Sequence, residues 1–408
     1  MAARRRVAIT GAGVVSPLGQ TLEAFHSALE AARSGIGRLP ETLARNTGVQ
    51  VAASIDWDPS PHLAGGEAAN LDRVAQFAVV AALQAVKGSG VDLAGANRDR
   101  IGVYWGTGMG GATTLEAAYE RVYGKGDWRA RPLTVVMAMN NAAGSNVALK
   151  LGLRGPFANF STACSSSAMA LGEAMRTIAA GRADAIIAGG AEALLVPGTL
   201  SAWNALRTMA PADDADAGAS CRPFDKRRAG LVLGEGAAAF VLESEAHASA
   251  RGAKVLGYLS GYGNTCDASH LSRPDRAGQV RAIREALEES GLEPQAIGYV
   301  NAHGTGTSVG DVVECEALSE VFGPSAVRVS STKSMHGHLL GGAGALEMAA
   351  ALLPFQGIVP PTAHLEQPDP ACTVRHVTRA VKVEPPGAVM SNSFAFGGSN
   401  VVLVVERA

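Results

Sequence analysis

Short apolar runs and longer stretches of helical period follow one another along the 408 residues of the chain. Val7 to Thr10 is a β-branched strand that closes on Gly11-Ala12-Gly13 as a turn, and Thr21 to Ala32 carries a helical pattern. Val74 to Lys87 is alanine-rich with apolar residues on several faces, the pattern of a buried helix. Ile101 to Trp105 reads as a strand ending in the glycine-rich stretch Gly106 to Gly111. Phe157 to Thr162 reads as a strand running into a helix over Ser165 to Ala180, which Gly181 caps. Ala183 to Gly189 and Ala237 to Glu243 are further buried strands.

A second series begins near Ala253. Its strands are Val255 to Gly261, Ile297 to Asn301, Val327 to Ser330 and Val401 to Glu406. Its helices are Ala277 to Ser290, stopped by Gly291, and Gly344 to Leu353, stopped by Pro354. Leu39 to Leu71 and Ala210 to Ser220 read as long surface connections. Alternating strands and helices place the chain in the α/β class with much parallel sheet. Each series puts a strand, then a reactive residue, then a helix, a weak two-half symmetry.

Composition narrows the picture. Hydrophobic residues make up 47% and charged residues 18%, a balance suited to a large buried core. The net charge of −2 gives no basic excess for nucleic acid. The short basic clusters, Arg4 to Arg6 and Lys226 to Arg228, read as solvated surface. The five cysteines, 164, 221, 266, 315 and 372, include no CxxC pair, which argues against a disulfide framework or structural zinc and for a reducing cytosol. Met1 to Gly19 imitates a signal peptide, but its apolar run is broken by Thr10, Gly11 and Gly13 and reads better as strand and turn. No apolar stretch reaches membrane-spanning length; the candidates are interrupted by Glu192 and Pro197, or by Glu347 and Pro354.

Three positions carry candidate chemistry. Cys164 falls at a strand-to-helix turn, where unpaired backbone N–H groups and the helix dipole favour a thiolate. A buried structural cysteine would satisfy the same turn, so the turn alone leaves both readings open. His303, in Asn301-Ala302-His303-Gly304-Thr305-Gly306-Thr307, and His338, in Lys333-Ser334-Met335-His336-Gly337-His338, each follow a strand and are flanked by glycine. That placement is hard to reconcile with a purely structural role for both.

Thr162-Ala163-Cys164-Ser165-Ser166, the HGTGT and KSMHGHLLGGAGA stretches and Asn392-Ser393-Phe394-Ala395-Phe396-Gly397-Gly398 occur in the order and spacing of the β-ketoacyl-acyl carrier protein synthases, which this chain resembles over nearly its whole length from VAITGAGVVSPLG onward. Arg222-Pro223-Phe224-Asp225 and Gly234-Glu235-Gly236 bring it nearest to the type II enzymes. The resemblance implies a thiolase-type fold of two similar halves in five layers, α-β-α-β-α. Residues 1–250 would form the half carrying the nucleophilic cysteine and 251–408 the half carrying two catalytic histidines.

By the same resemblance Cys164, His303 and His338 form the catalytic set, and Lys333 and Glu347 a buried pair supporting the histidines. Phe396 serves as gate, its N–H joining that of Cys164 as oxyanion donor; Thr305 and Thr307 hold the pantetheine arm, and Arg207 meets the acidic carrier protein. The implied reaction is decarboxylative condensation of an acyl thioester with malonyl carrier protein in the cytoplasm, needing no metal or redox cofactor, by a homodimer or a heterodimer with a chain-length subunit. Met109, Met139 and Phe160 are candidates for the acyl tunnel, although a plain core role explains each equally well.

Departures from the pattern bear on pathway. Ala395 stands where glycine is usual and so restricts the gate, His336 stands where threonine is usual, and Gly306 is commoner in polyketide-type synthases. A specialised polyketide or polyene synthase is therefore the alternative to fatty acid synthesis. Three rivals are disfavoured. A dinucleotide-binding enzyme would need a third glycine where Ser16 stands. A silent chain-length subunit would lack the reactive cysteine. A thiolase would need a second catalytic cysteine in the glycine-rich end that Asn392 to Gly398 occupies, whereas Cys372 lies outside it.

Overall fold

The computed structural model describes residues 5–408, so Arg4 of the basic cluster lies outside it. Eleven strands form one mixed sheet in the order Phe157–Phe160, Ile101–Gly106, Ala185–Glu192, Gly236–Ser244, Val7–Val15, Gly257–Cys266, Ser399–Glu406, Ala388–Phe394, Ile297–Asn301, Arg328–Ser330, Arg375–His376. Read inward, three neighbouring strands are parallel on the first side and four on the second, and on each side the next two are antiparallel. The two series meet where Val7, Ala8 and Ile9 pair with Leu259, Tyr258 and Gly257. The sheet is thus less parallel than the alternation of elements suggested.

Two buried helices, Ser166–Ala179 and Ala343–Ala351, lie between the two flanks of the sheet. Their shared core joins Leu171, Met175, Leu346 and Met348 to Phe240 of one flank and Leu403 of the other. The helices approach so closely that a Cβ on Gly344 would sit 2.7 Å from that of Ala168. Outside the sheet, Arg73–Ser89 covers the first flank and Arg276–Ser290 the second. The arrangement gives helical layers outside, between and outside two sheet layers.

One expected turn is absent. Val7–Val15 runs straight through Gly11 and Gly13 as a single strand. The glycines serve close packing instead: a Cβ on Gly13 would lie 2.1 Å from Ala81 O, and one on Gly11 2.1 Å from Ala85 O, both backbone atoms of the covering helix. Gly13→Ala is expected to lower stability by about 1–3 kcal/mol through this overpacking; urea unfolding of the purified variant checks it. Ala388–Phe394, of which only Asn392 to Phe394 stood out in the sequence and those as part of a motif, is a fully buried strand. Within the expected connection Leu39 to Leu71 lie a short helix, Glu41–Thr47, and the two-residue strand Val51–Ala52.

Candidate active site

Cys164 lies in a short turn, Ala163–Ser165, directly before the helix Ser166–Ala179. Ala163 adopts φ +51°, a left-handed conformation costly for a residue with a Cβ and often kept at functional turns. Ser166 Oγ accepts from Thr162 N (2.9 Å) and donates to Ala163 O (2.7 Å), which fixes the turn. His303 follows the strand Ile297–Asn301, with its backbone N–H donating to Glu314 Oε1 at 2.8 Å and that of Gly304 to Glu314 Oε2 at 2.7 Å. His338 is anchored by backbone bonds on either side, its N–H to Val232 O at 2.7 Å and its carbonyl accepting from Gly234 N at 2.9 Å.

These elements bring the three side chains together. His338 Nε2 is 3.0 Å from Cys164 Sγ, and the rings of His303 and His338 stand edge to face with centroids 5.4 Å apart. Lys333 and Glu347, both fully buried, form an ion pair beside them. Lys333 Nζ also lies 3.5 Å from His303 Nδ1. An ammonium can only donate, so this contact leaves Nε2 of His303 as the N–H nitrogen. Burial first, and then the Lys333 charge, hold both imidazoles well below their usual range and therefore neutral.

The sulfur differs from expectation. Burial pushes the Cys164 thiol up to about 12, against the opposing pull of Lys333 and of the Phe396 N–H. Removal from water thus outweighs the helix terminus, and the resting sulfur is a thiol with its proton directed along the short line to His338. The sign is fixed by the raised value: thiolate is scarce at neutral pH and grows with each step upward. Alkylation of Cys164 by iodoacetamide, followed by peptide mass spectrometry, is expected to rise about tenfold per pH unit from about pH 7 to about pH 10. A small free thiol levels off near about 8.5. A plateau for Cys164 below about pH 8 would contradict this account.

A cavity of about 220 Å³ opens onto Cys164, His303 and His338. Thr305 and Thr307 line it, their hydroxyls 3.2 Å apart, as do Phe394 and Phe396. The Phe396 ring is half-buried and stacks on Trp203 at 6.0 Å between centroids. Arg207 is exposed and follows the helix Pro197–Ala205 that carries Trp203, close to cavity-lining Thr208. Met109, Met139 and Phe160 do not line this cavity, and both methionines are half exposed. Ala395 is not among the residues with positive φ, so its Cβ is unstrained in this conformation.

Several supporting residues escaped sequence reading. Glu314 and Asp311, three residues apart on the helix Gly310–Phe322, both point inward and hold the loop after His303; Asp311 accepts from Phe224 N and Gly306 N. Acidic residues on the inward face of a helix were the available signal. Glu192 accepts from Gly108 N at 2.6 Å and Gly341 N at 3.0 Å, tying loops from the two series together behind Cys164. Arg228, read as solvated charge, has a side chain only 5% exposed: it pairs with Asp369 at 2.6 Å and donates to Thr307 O and Ser308 O. Arg5 and Arg6 do lie at the surface, near Asp184 and Glu245.

Residues 4–248 match the family model for the beta-ketoacyl synthase N-terminal domain, and residues 256–366 the model for its C-terminal domain. The chain belongs to the beta-ketoacyl synthase family. It is 40% identical to 3-oxoacyl-[acyl-carrier-protein] synthase 2 of Synechocystis sp., covering 99% of this chain and 98% of that one. Nodulation protein E of Rhizobium meliloti is 39% identical, with 99% of each chain covered. Among solved structures, the ishigamide ketosynthase/chain length factor superposes with a TM-score of 0.93 at 32% identity over the whole of both chains. A type II polyketide synthase ketosynthase bound to its acyl-carrier protein superposes with a TM-score of 0.91 at 27% identity, covering 99% of this chain and all of that one. Membership makes this synthase a condensing acyltransferase with the thiolase-type fold.

Proposed function

We propose that this synthase condenses an acyl group, held on Cys164, with malonyl carrier protein, lengthening the chain by two carbons in fatty acid synthesis. The 3.0 Å contact between Cys164 Sγ and His338 Nε2, with His303 facing the same cavity, carries the reading. His338 takes the thiol proton as sulfur attacks the acyl thioester; the carrier thiol leaves with that proton and the acyl group stays on sulfur. Malonyl thioester then enters. Its carboxylate leaves as carbon dioxide, and the electron pair of the broken C–C bond forms an enolate. Neutral imidazoles serve this step: His303 already carries its hydrogen on Nε2 and presents it to the enolate oxygen, while His338, whose Nε2 is bare once the carrier thiol has left with the proton, does the same after taking the other tautomer.

The enolate carbon attacks the acyl carbon on Cys164. That attack forms the new C–C bond; the backbone N–H groups of Cys164 and Phe396 stabilise the resulting oxyanion, whose collapse re-forms the carbonyl and breaks the C–S bond, releasing a thiolate that takes a proton from water. Lys333 and Glu347 hold the histidines, Thr305 and Thr307 receive the pantetheine arm, and Arg207 meets the acidic carrier. We divide these tasks between an N-terminal half, 1–250, bearing the cysteine, and a C-terminal half, 251–408, bearing the histidines. The protein works in the cytoplasm as a homodimer. All five cysteines are unpaired, which suits a reducing compartment, and no helix among the described residues is long and apolar enough to cross a membrane.

A second reading, a polyketide or polyene ketosynthase paired with a chain-length factor, draws support from the whole-chain superposition on the ketosynthase/chain length factor structure. One experiment separates them: acyl and malonyl carrier proteins are mixed with the synthase and followed by intact mass. A two-carbon extension by the chain alone supports the first reading. Extension only after a chain-length subunit is added supports the second, and loading without extension under either condition removes both.

A further inference from the structure

His336 lies outside the reaction derived above, yet it is fully buried between the two histidine-bearing turns. Its Nδ1 is 2.7 Å from Gly337 O, and its Nε2 is 2.9 Å from Thr332 Oγ1. A carbonyl only accepts, so Nδ1 carries the hydrogen. Burial holds the ring neutral, pushed down to about 3, which leaves Nε2 bare to accept the Thr332 hydroxyl. Thr332 Oγ1 in turn accepts from Asn301 Nδ2 at 3.2 Å. A continuous chain of hydrogen bonds thus runs from Asn301, two residues before His303, through Thr332 and His336 to the peptide joining Gly337 to His338.

That peptide has little room to move by itself. Gly337 adopts φ +67°, and a Cβ there would lie 2.9 Å from that of Ala53. The Phe25 ring, 6.2 Å away, packs against the imidazole. We propose that His336 is a positioning residue that locks the turn bearing His338 to the strand end bearing His303, fixing the separation of the two catalytic rings. The inference rests on the condensation proposed above.

The test compares His336→Ala, His336→Asn and His336→Gln with the parent. The number of loadable sites is titrated first, by the amount of acyl group taken up on Cys164, and turnover is expressed per loadable site. A displacement of one ring against the other is expected to lower kcat per site about 10- to 100-fold in His336→Ala, with KM for both carriers within about twofold. Asparagine, which keeps a donor near Nδ1, and glutamine, which keeps an acceptor near Nε2, are each expected to recover part of the loss. A merely structural ring would reduce the number of loadable sites and leave turnover per site intact; that result overturns the inference. Should the alanine variant fail to fold, the other two decide, and parental turnover per site in both overturns it. Failure of the parent to extend any acyl chain sinks the proposed condensation instead.

Discussion

Replacing Cys164 with alanine is expected to abolish extension, by about ten-thousand-fold or more in kcat, because removing the nucleophile of a coupled set costs nearly as much as removing the whole set. The substitution is small in other respects. Cys164 is 5% exposed and packs among Leu231, Leu340 and Ala112, so the variant loses one buried sulfur and should fold. Intact mass after incubation with acyl carrier protein gives the first readout: the parent gains the acyl mass and Cys164→Ala does not. Extension of the carrier-bound chain gives the second. Acylation of the variant at another cysteine, with turnover retained, would move the nucleophile away from this site; Cys266, which is exposed, is the control position to map.

The largest effect on stability is expected at Lys333. Lys333→Ala leaves Glu347, which is fully buried, without its cation. Breaking such a pair from one side costs about 3–5 kcal/mol, since the remaining charge has neither water nor partner. Converting both residues together, Lys333→Met with Glu347→Leu, removes the charges and refills the space, so denaturant unfolding should recover most of the loss. Activity should not return with it. The Lys333 charge is one of the forces holding His303 and His338 below their usual range. Without that charge both rings protonate at higher pH. His338 then cannot take the thiol proton, and the acid limb of the kcat/KM profile moves upward in both variants. Unchanged unfolding of Lys333→Ala, or an unmoved acid limb, would contradict the role assigned to the pair.

Chain pattern revealed much of this architecture, for identifiable reasons. Ile297–Asn301 and Arg276–Ser290 are bounded by residues that end an element by themselves, such as Gly291 in the left-handed conformation, and their limits were legible almost to the residue. Val7–Val15 was not, because the glycines that look like a turn are demanded by a helix more than sixty residues away in sequence. The strand Ala388–Phe394 was hidden for a related reason: its polar Ser391, Asn392 and Ser393 are buried against partners that local pattern does not reveal, Asn392 donating to Glu314.

At the site, Cys164 stood out through its strand-to-helix turn and His303 and His338 through their glycine-flanked strand ends, whereas Arg228 was misread because three adjacent basic residues look the same whether or not one is buried. Glu192 acts through backbone N–H groups of remote loops, a pairing that only the folded chain creates, and Glu314 through those of the loop that precedes its own helix.

The placement of one strand has a consequence for timing during synthesis. Ser399–Glu406 is interior to the sheet, held by Ala388–Phe394 on one side and Gly257–Cys266 on the other. The second flank cannot close until this segment has left the ribosome, and Phe396, whose N–H faces the sulfur, is ordered only by that closure. A nascent polypeptide therefore has Cys164 outside the exit tunnel for many seconds, at about 5–20 residues per second, with no working centre around it. Condensing activity, unlike the bare thiol, therefore arrives only with the last of the described strands of the sheet.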